Sequence, residues 1–546
     1  MRFESNCGGY FSGSGMNRKL EDVPELIHHI QSRLSLKEAA RSSVLSKSWL
    51  HAWSTIPNLR FHVDKEQETE HMKLVDVDRT LTRYLHNNIP IERFELSICI
   101  QNQEAASLVE KCIRSVATKT SLKVLSLRIS LQGASLHLPE EILSGQNLTK
   151  IIVSASSGKH SVWMTTTHHP KCLSLRKLHL SGVYISKKVL HDIFVSCRFL
   201  AKIELLNSSR SLNSIKVTNL PGLYKFEILT SDARLTAFEL NRVPNLPFLS
   251  CNVFMNQFSN RLGPLINAHS ISLGRSVTEL TLGGGMIRDN ASLDMIIKLG
   301  LPFLEDLTLD MACWMLGSFY FTCASVKRFS LVECPCTLVD VVHVTAPKLL
   351  FFTFSGKIMP SLLFPDSTLD QIDLLLELRI DVANASFFLK MREALMLSSK
   401  CRVNITTFNY DLPLEIDIDD LRTRLLFPPA MNVQHLCFKT IGDECLWERS
   451  PFFDALFEIC HPDRVSACPD SKLKHNNHFC KLMLREVLGK TKNNTTRMSY
   501  WPRYLKNIQI QHPHNREWET LTDSHTSFLD GPTPEHLPVK FILNWC

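Results

Sequence analysis

Cys334 and Cys336, in the run Glu-Cys-Pro-Cys, stand close enough to begin a zinc site, which would polarise a bound water or staple a loop. Zinc takes four ligands, and no second Cys or His pair follows at ligand spacing. Gly283, Gly284 and Gly285 could let a backbone wrap a phosphate, yet neither a Lys-Ser/Thr pair nor a third spaced Gly completes such a loop. A flexible turn after the strand ending near Leu282 is expected instead. Asp417, Asp419 and Asp420 have the charge for calcium but lack the Gly and terminal Glu of an EF-hand, and read as a solvated edge. His28 with His29, and His168 with His169, are adjacent pairs whose members diverge on a helix and have no third ligand. No Gly-x-Ser-x-Gly, His-Glu-x-x-His or paired-carboxylate pattern sets a nucleophile against a base. These residues predict no catalytic site, no metal and no cofactor.

The elements that would have to position such groups point to binding. Residues Leu20 to Trp53 predict three short helices. Asp22 and Glu25 have capping-box spacing, and Leu26, Ile27, Ile30 and Leu34 form a stripe. Ser35 with Glu38 restarts the chain, and Ser46 can cap a third helix carrying Trp49, Trp53 and Ile56 before Pro57. A unit of roughly 40 residues is near the lower limit of independent stability and cannot hide this many large side chains. Its surplus apolar surface implies a partner.

Beyond Pro90 the period changes. Units of the form apolar, two variable, apolar, variable, apolar recur, as in Leu148, Ile151, Val153; Leu175, Leu178, Leu180; Leu304, Leu307, Leu309; and Val326, Phe329, Leu331. Their spacing, mostly roughly 20–30 residues, is that of a leucine-rich solenoid, in which no unit buries its apolar side until neighbours stack on it. Helices are expected at Ser186 to Cys197, Ser292 to Leu299 and Ala385 to Leu397. From Leu212 to Leu240 the units shorten to about a dozen residues, which predicts strands on both sides of the array. After Thr440, FFDALFEIC and HFCKLMLREVLG read as helices, LKNIQI and FILNW as strands.

The chain has 546 residues, 44% of them apolar, and a net charge of +7 from mixed signs, which argues for a globular protein without a nucleic-acid or anionic-membrane partner. Seventeen scattered cysteines and no signal-peptide core predict reduced thiols, and no run of about 18 apolar residues predicts a membrane span. The cytoplasm or nucleus is the expected location.

The segment through Leu20, Val23, Pro24, Ile30 to Leu34, Lys37 to Ala40, Val44 to Lys47, Trp49 and Trp53, continuing into Pro57 to Phe61, resembles a plant F-box. Val23 stands where the family usually has Leu, and Ser35 where it usually has Pro. The resemblance, with the repeats behind it, is to the plant F-box/LRR family, and SYWPRYLKNIQI resembles the region that often follows those repeats. Residues 1–18, rich in Gly, Ser and Asn without periodicity, are expected to be disordered. The resemblance implies a mixed α/β chain beyond them: an F-box at 19–62, a charged linker and helix at 63–90, an irregular leucine-rich-repeat solenoid at 91–440 and an α+β cap at 441–546. It further implies that Val23, Pro24, Leu26, Ile27, Ile30, Val44, Leu45 and Trp49 dock a Skp-type adaptor and through it a cullin. The chain would then be a non-catalytic substrate receptor of a ubiquitin ligase. The outward strand positions, among them Arg128, His179, Glu204, Glu279, Asp306 and Arg328, would meet a target protein. An adaptor-independent repeat scaffold is the alternative.

Overall fold

The computed structural model describes residues 23–546 except 35, 64–69, 120, 157–160, 209–211, 213, 231–236, 254–270, 273–275, 285–289, 291–292, 295–300, 312–316, 335–338, 366–371, 381–383, 409–415, 442–450, 468–482, 484–500, 515–516 and 521–539. The expectations for the N-terminus, for caps at Asp22 and Ser35, and for Gly285 and Cys336 fall outside these residues, as do all but Met483 of the helix HFCKLMLREVLG and most of the helix expected from Ser292. The fold is mixed α/β, dominated by parallel sheet, in two compact units, Met1–Leu200 and Ala201–Cys546.

The first unit opens with α1 (Pro24–Arg33), α2 (Leu36–Ser42) and α3 (Lys47–Ser54). Helix α1 starts from Val23, which offers no side-chain cap, and Pro24 suits the first turn because its missing N–H has no partner there in any helix. Ser46 caps α3 as expected, its Oγ accepting from the Trp49 amide at 3.4 Å. The chain passes directly into β1 (Asn58–Val63), then α4 (Glu70–His86), β2 (Arg93–Ile100), α5 (Gln103–Ala117) and β3 (Val124–Leu131). Strands follow at β4 (Leu136–Leu138), β5 (Lys150–Ala155), β6 (Val162–Met164), β7 (Lys177–Ser181) and β8 (Val183–Ile185), before α6 (Lys187–Ser196). Strands β1, β2, β3, β5 and β7 pair in that order, all parallel, while β4, β6 and β8 make a second parallel sheet. The first strand therefore lies within the stretch whose sequence resembles an F-box, and the sheet begins at Asn58.

Parallel neighbours require a crossover. Here it is a helix early in the unit and a strand of the second sheet later. Helix α5 was not anticipated from sequence, although Asn102 caps it by accepting from the Ala105 amide at 2.9 Å and Val109, Cys112, Ile113 and Val116 form its buried face.

The second unit comprises β9 (Lys202–Leu206), β10 (Ser214–Thr218), β11 (Lys225–Thr230), β12 (Ala237–Asn241), β13 (Phe248–Val253), β14 (Ile271–Ser272), β15 (Glu279–Gly284) and β16 (Asp306–Asp310). Then come β17 (Ser318–Thr322), β18 (Arg328–Cys334), β19 (Val341–Thr345), β20 (Phe351–Gly356), β21 (Ser361–Leu363), β22 (Asp373–Ile380), α7 (Ala385–Leu395), β23 (Lys400–Phe408), α8 (Ile418–Arg424), β24 (Val433–Ile441), α9 (Phe452–Ile459) and β25 (Arg464–Ala467). Strands β9, β11, β13, β15, β16, β18, β20, β22, β23, β24 and β25 pair successively in parallel. The closely spaced units near Leu212 to Leu240 alternate between this sheet and a second one, β10-β12-β14, as their spacing predicts. Asn207 and Asn219, at the ends of β9 and β10, take positive φ of 51° and 60°, a conformation Asn tolerates better than most residues. The parallel series ends at β25, against which β28 (Lys540–Trp545) runs antiparallel, followed by β26 (Leu505–His514) and β27 (Glu517–Thr520).

Two local features correct the sequence reading. Gly283 and Gly284 are not a turn; they lie in β15. Asn252 and Asp310 occupy the same register position on the strands either side of Gly283, and Asn252 Nδ2 donates to Asp310 Oδ2 at 3.0 Å across it. A Cβ at Gly283 would fall 2.6 Å from both Asn252 Oδ1 and Asp310 Cβ. Asp417 is more than a solvated acid: it caps α8, accepting from the amides of Asp419 and Asp420 at 2.9 and 3.1 Å.

Gly283→Ala is expected to cost about 1–3 kcal/mol through this overpacking, read as a lower thermal midpoint; an unchanged melt would show that the bridge yields freely. A second prediction concerns pH. Burial holds the pKa of His435 and His461 below the ordinary value, with Lys540, Arg464 and Arg402 adding repulsion at His435. His461 stacks on Trp545 at 4.0 Å, and His435 shares a 2.7 Å hydrogen bond with Ser466. The unfolded chain takes up these protons first, so their stabilisation is full above about pH 6.5 and is lost as pH falls toward the lowered folded values. Hydrogen exchange should show β24, β25 and β28 opening as pH drops from 7 to 5, and His435→Gln should flatten that response.

Candidate functional site

The three N-terminal helices are tied by one buried polar side chain. Gln31, on the same face of α1 as Ile27 and 1% exposed, donates from Nε2 to Ser42 Oγ on α2 and to the Trp49 carbonyl on α3, each at 3.0 Å. His28 Nε2 meets the Thr55 carbonyl at 3.1 Å, and Tyr84 on α4 donates its hydroxyl to the Ile56 carbonyl at 3.1 Å. These contacts set the helix geometry with little apolar core. Ile27 is fully buried, and the small side chains of Ala39 and Ala52 are buried as well.

What is left outside is apolar. Val44 and Leu45, in the turn between α2 and α3, are 84% and 66% exposed; Leu26 on α1 is 44% and Leu50 on α3 49% exposed. A turn normally carries polar residues because water must satisfy its backbone, so two aliphatic side chains there find no apolar neighbours to bury them. Pro24 is exposed as well, while Val23, Ile30 and Trp49 are half-buried. Of the eight residues the F-box resemblance brings forward, only Ile27 is sealed inside and unavailable to a partner. Leu50 was missed because it lies outside the Trp49, Trp53, Ile56 face. Gln31 was missed as well, although its place four residues after Ile27 marks it as an inward position. A groove of about 470 Å³ between α1 and α3, lined by Pro24, Glu25, His28, Lys47 and His51, adds a polar edge.

The outward strand positions divide by unit. In the first, Arg128 is exposed on β3 and His179 half-buried on β7, 3.5 Å from Ser154 Oγ. Arg60 and Arg93 converge on Glu95 at 3.4 and 3.2 Å, and a cleft of about 510 Å³ opens beside Arg128. In the second, Glu204 is 9% exposed and pairs with Lys202 and Lys225 at 2.8 and 3.4 Å, so much of its charge is met within the sheet. Glu279, Asp306 and Arg328 share one register row on adjacent strands, and Arg328 Nε donates to Asp306 Oδ2 at 2.7 Å.

Burial pushes the thiols of Cys112, Cys172, Cys197, Cys251 and Cys460 up to about 12, leaving them protonated at neutral pH. Among the described residues no cluster of three or more His, Cys, Asp or Glu could hold a metal ion, and no helix is long and apolar enough to cross a membrane.

No protein-family model matches the sequence. Individual proteins do. An F-box/LRR-repeat protein of Arabidopsis thaliana is 40% identical over 92 residues, 16% of this chain and 19% of that protein. An F-box/FBD/LRR-repeat protein of the same plant is 23% identical over 245 residues, 44% and 54% of the two chains, and an F-box protein 23% over 330 residues, 55% and 66%. The chain is a relative of the plant F-box/LRR-repeat proteins. It spans less than two thirds of the length of these F-box/LRR-repeat relatives, and about a third of some.

Gln31→Ala, by freeing the α2 and α3 partners, is expected to destabilise the head by about 1–3 kcal/mol. Limited proteolysis should cut within residues 24–55 first in this variant; cutting that begins elsewhere would place the weak point outside the head.

Proposed function

We propose that the chain is the substrate-recognition subunit of a Skp-cullin-F-box ubiquitin ligase, with the helical head docking a Skp-type adaptor and the strand face holding a target protein. The observation that carries this reading is the pair Val44 and Leu45, aliphatic and exposed at the α2–α3 turn of a head whose sequence resembles an F-box. Covering each would contribute about 1.5–3 kcal/mol, enough for such a pair to dominate an interface together with Leu26, Leu50, Pro24 and the half-buried Val23, Ile30 and Trp49. The protein supplies no chemical group of its own in this reading. Its contribution is proximity: target lysines are held near the activated ubiquitin, which makes transfer effectively intramolecular.

One observation favours a second reading, an adaptor-independent scaffold. Strand β1 follows α3 directly and pairs with β2, and the Pro57 carbonyl accepts from the amides of Glu92 and Arg93, so the head is built onto the sheet and could serve as its N-terminal cover. The two readings separate on one measurement. In a pull-down of the full chain with a purified Skp-type adaptor, Leu45→Asp is expected to weaken binding roughly 100-fold, since an exposed turn residue can change without unfolding the head while a desolvated charge cannot be accommodated. Leu26→Asp with Trp49→Ala should do the same. Failure of the unmodified chain to bind any such adaptor would leave the scaffold reading.

A further inference from the structure

The outward face of the first unit's main sheet is one-signed. At the outward positions of β1, β2, β3, β5 and β7 stand Arg60, Arg93, Arg128, Lys150 and Lys177, against a single carboxylate, Glu95. Glu95 is taken by Arg60 and Arg93. The equivalent positions of the second unit mix signs, Lys202 and Lys225 beside Glu204 and Glu227, then Glu279, Asp306 and Arg328. The modest net charge of +7 conceals this segregation.

One register row sets a single cation among hydroxyls. His62, Ser97, Arg128, Ser154 and Ser181 lie side by side on five successive strands, about 4.8 Å apart, with no acid among them. The cleft of about 510 Å³ lies over this row and the next, its polar rim made by His62, Ser97, Arg128, Ser130, Ser154 and Ser156. Among the described residues Arg128 makes no ion pair, so its guanidinium stands in the cleft with its donors unspent on carboxylate. Hydroxyls flank it on both sides. A guanidinium fork ringed by hydroxyl donors and free of carboxylates matches an oxyanion, which accepts from several donors at once.

Building on the receptor reading, we infer that this cleft is the subsite for an oxyanion-bearing side chain, carboxylate or phosphate, on an extended acidic segment of the bound target. A segment crossing the strands along this row would meet Ser97 and His62 on one side of Arg128 and Ser154 and Ser181 on the other, with Arg60 two positions and Lys150 four positions along their strands from it. Single-stranded nucleic acid is the weaker match: such surfaces stack bases on aromatic rings, and apart from His62 and His179 the outward positions of these five strands carry none.

The test uses the full chain and fluorescence anisotropy with three labelled probes: a Glu-rich heptapeptide, the same peptide with a central phosphoserine, and oligo-dT. Arg128→Gln should weaken binding of the peptides about tenfold, the loss of a charge-assisted contact, while Arg128→Lys retains most of it. A larger loss for the phosphoserine peptide would assign a phosphate, an equal loss a carboxylate. The inference is overturned if Arg128→Gln leaves peptide binding unchanged at an unaltered thermal midpoint, or if oligo-dT binds more tightly than either peptide through Arg128. Leu45→Asp serves as the separating control. It should abolish adaptor pull-down and leave peptide binding intact, so that absence of adaptor binding sinks the receptor reading alone and absence of Arg128-dependent peptide binding sinks this inference alone.

Discussion

Register is the constraint on which the structure rests. In each parallel series the apolar residues of one strand sit beside those of the next, as in Leu125, Ile151 and Leu178, or Leu280, Leu307, Phe329 and Phe352, all of them buried. A strand slipped by one residue would turn that row to water and bring its charges inside. No strand is stable alone, because half of its surface is apolar and only a neighbour in register covers it. The aromatic chain from Phe319 and Phe321 on β17 through Phe329 on β18 and Phe352 on β20 to Phe364 extends the same rule, ring packing on ring at 4.5 to 6.0 Å.

The outward rows follow from the inward ones. Once the inward leucines are aligned, the intervening side chains are aligned too, so a charge pattern scattered along the sequence becomes a surface pattern. This is how Arg60, Arg93 and Arg128 come to share a face with only Glu95 between them, and how Asn252 reaches Asp310 over Gly283. The end of the series needs a different solution. Strand β28 runs antiparallel to β25, and Trp545, Trp501 and Phe457 pack together there, so the last parallel edge is not left open to pair with another chain.

The head obeys a different balance. Three helices of seven to ten residues enclose Ile27, Ala39 and Ala52 and lean on the hydrogen bonds of Gln31, leaving Val44, Leu45, Leu26 and Leu50 outside. Its apolar residues thus serve two purposes that compete for the same side chains. Those that turn inward hold the helices, and those that remain outside are available to a partner.

The repeating apolar units, the cap at Ser46, the helices of residues 187–196 and 385–395 and the closing strands were all legible in the sequence, because each depends on contacts a few residues apart or on a short period. Tertiary structure alone decided that Gly283 sits inside a strand, that Ile27 is interior while Val44 is bare, and that Glu204 is compensated whereas Arg128 is not. The physical reason is the same in each case. Periodicity tells which side of a strand or helix a residue takes, but the residue it meets there comes from another strand or helix, commonly twenty to sixty positions away in the chain, and only the stacked register brings the two together.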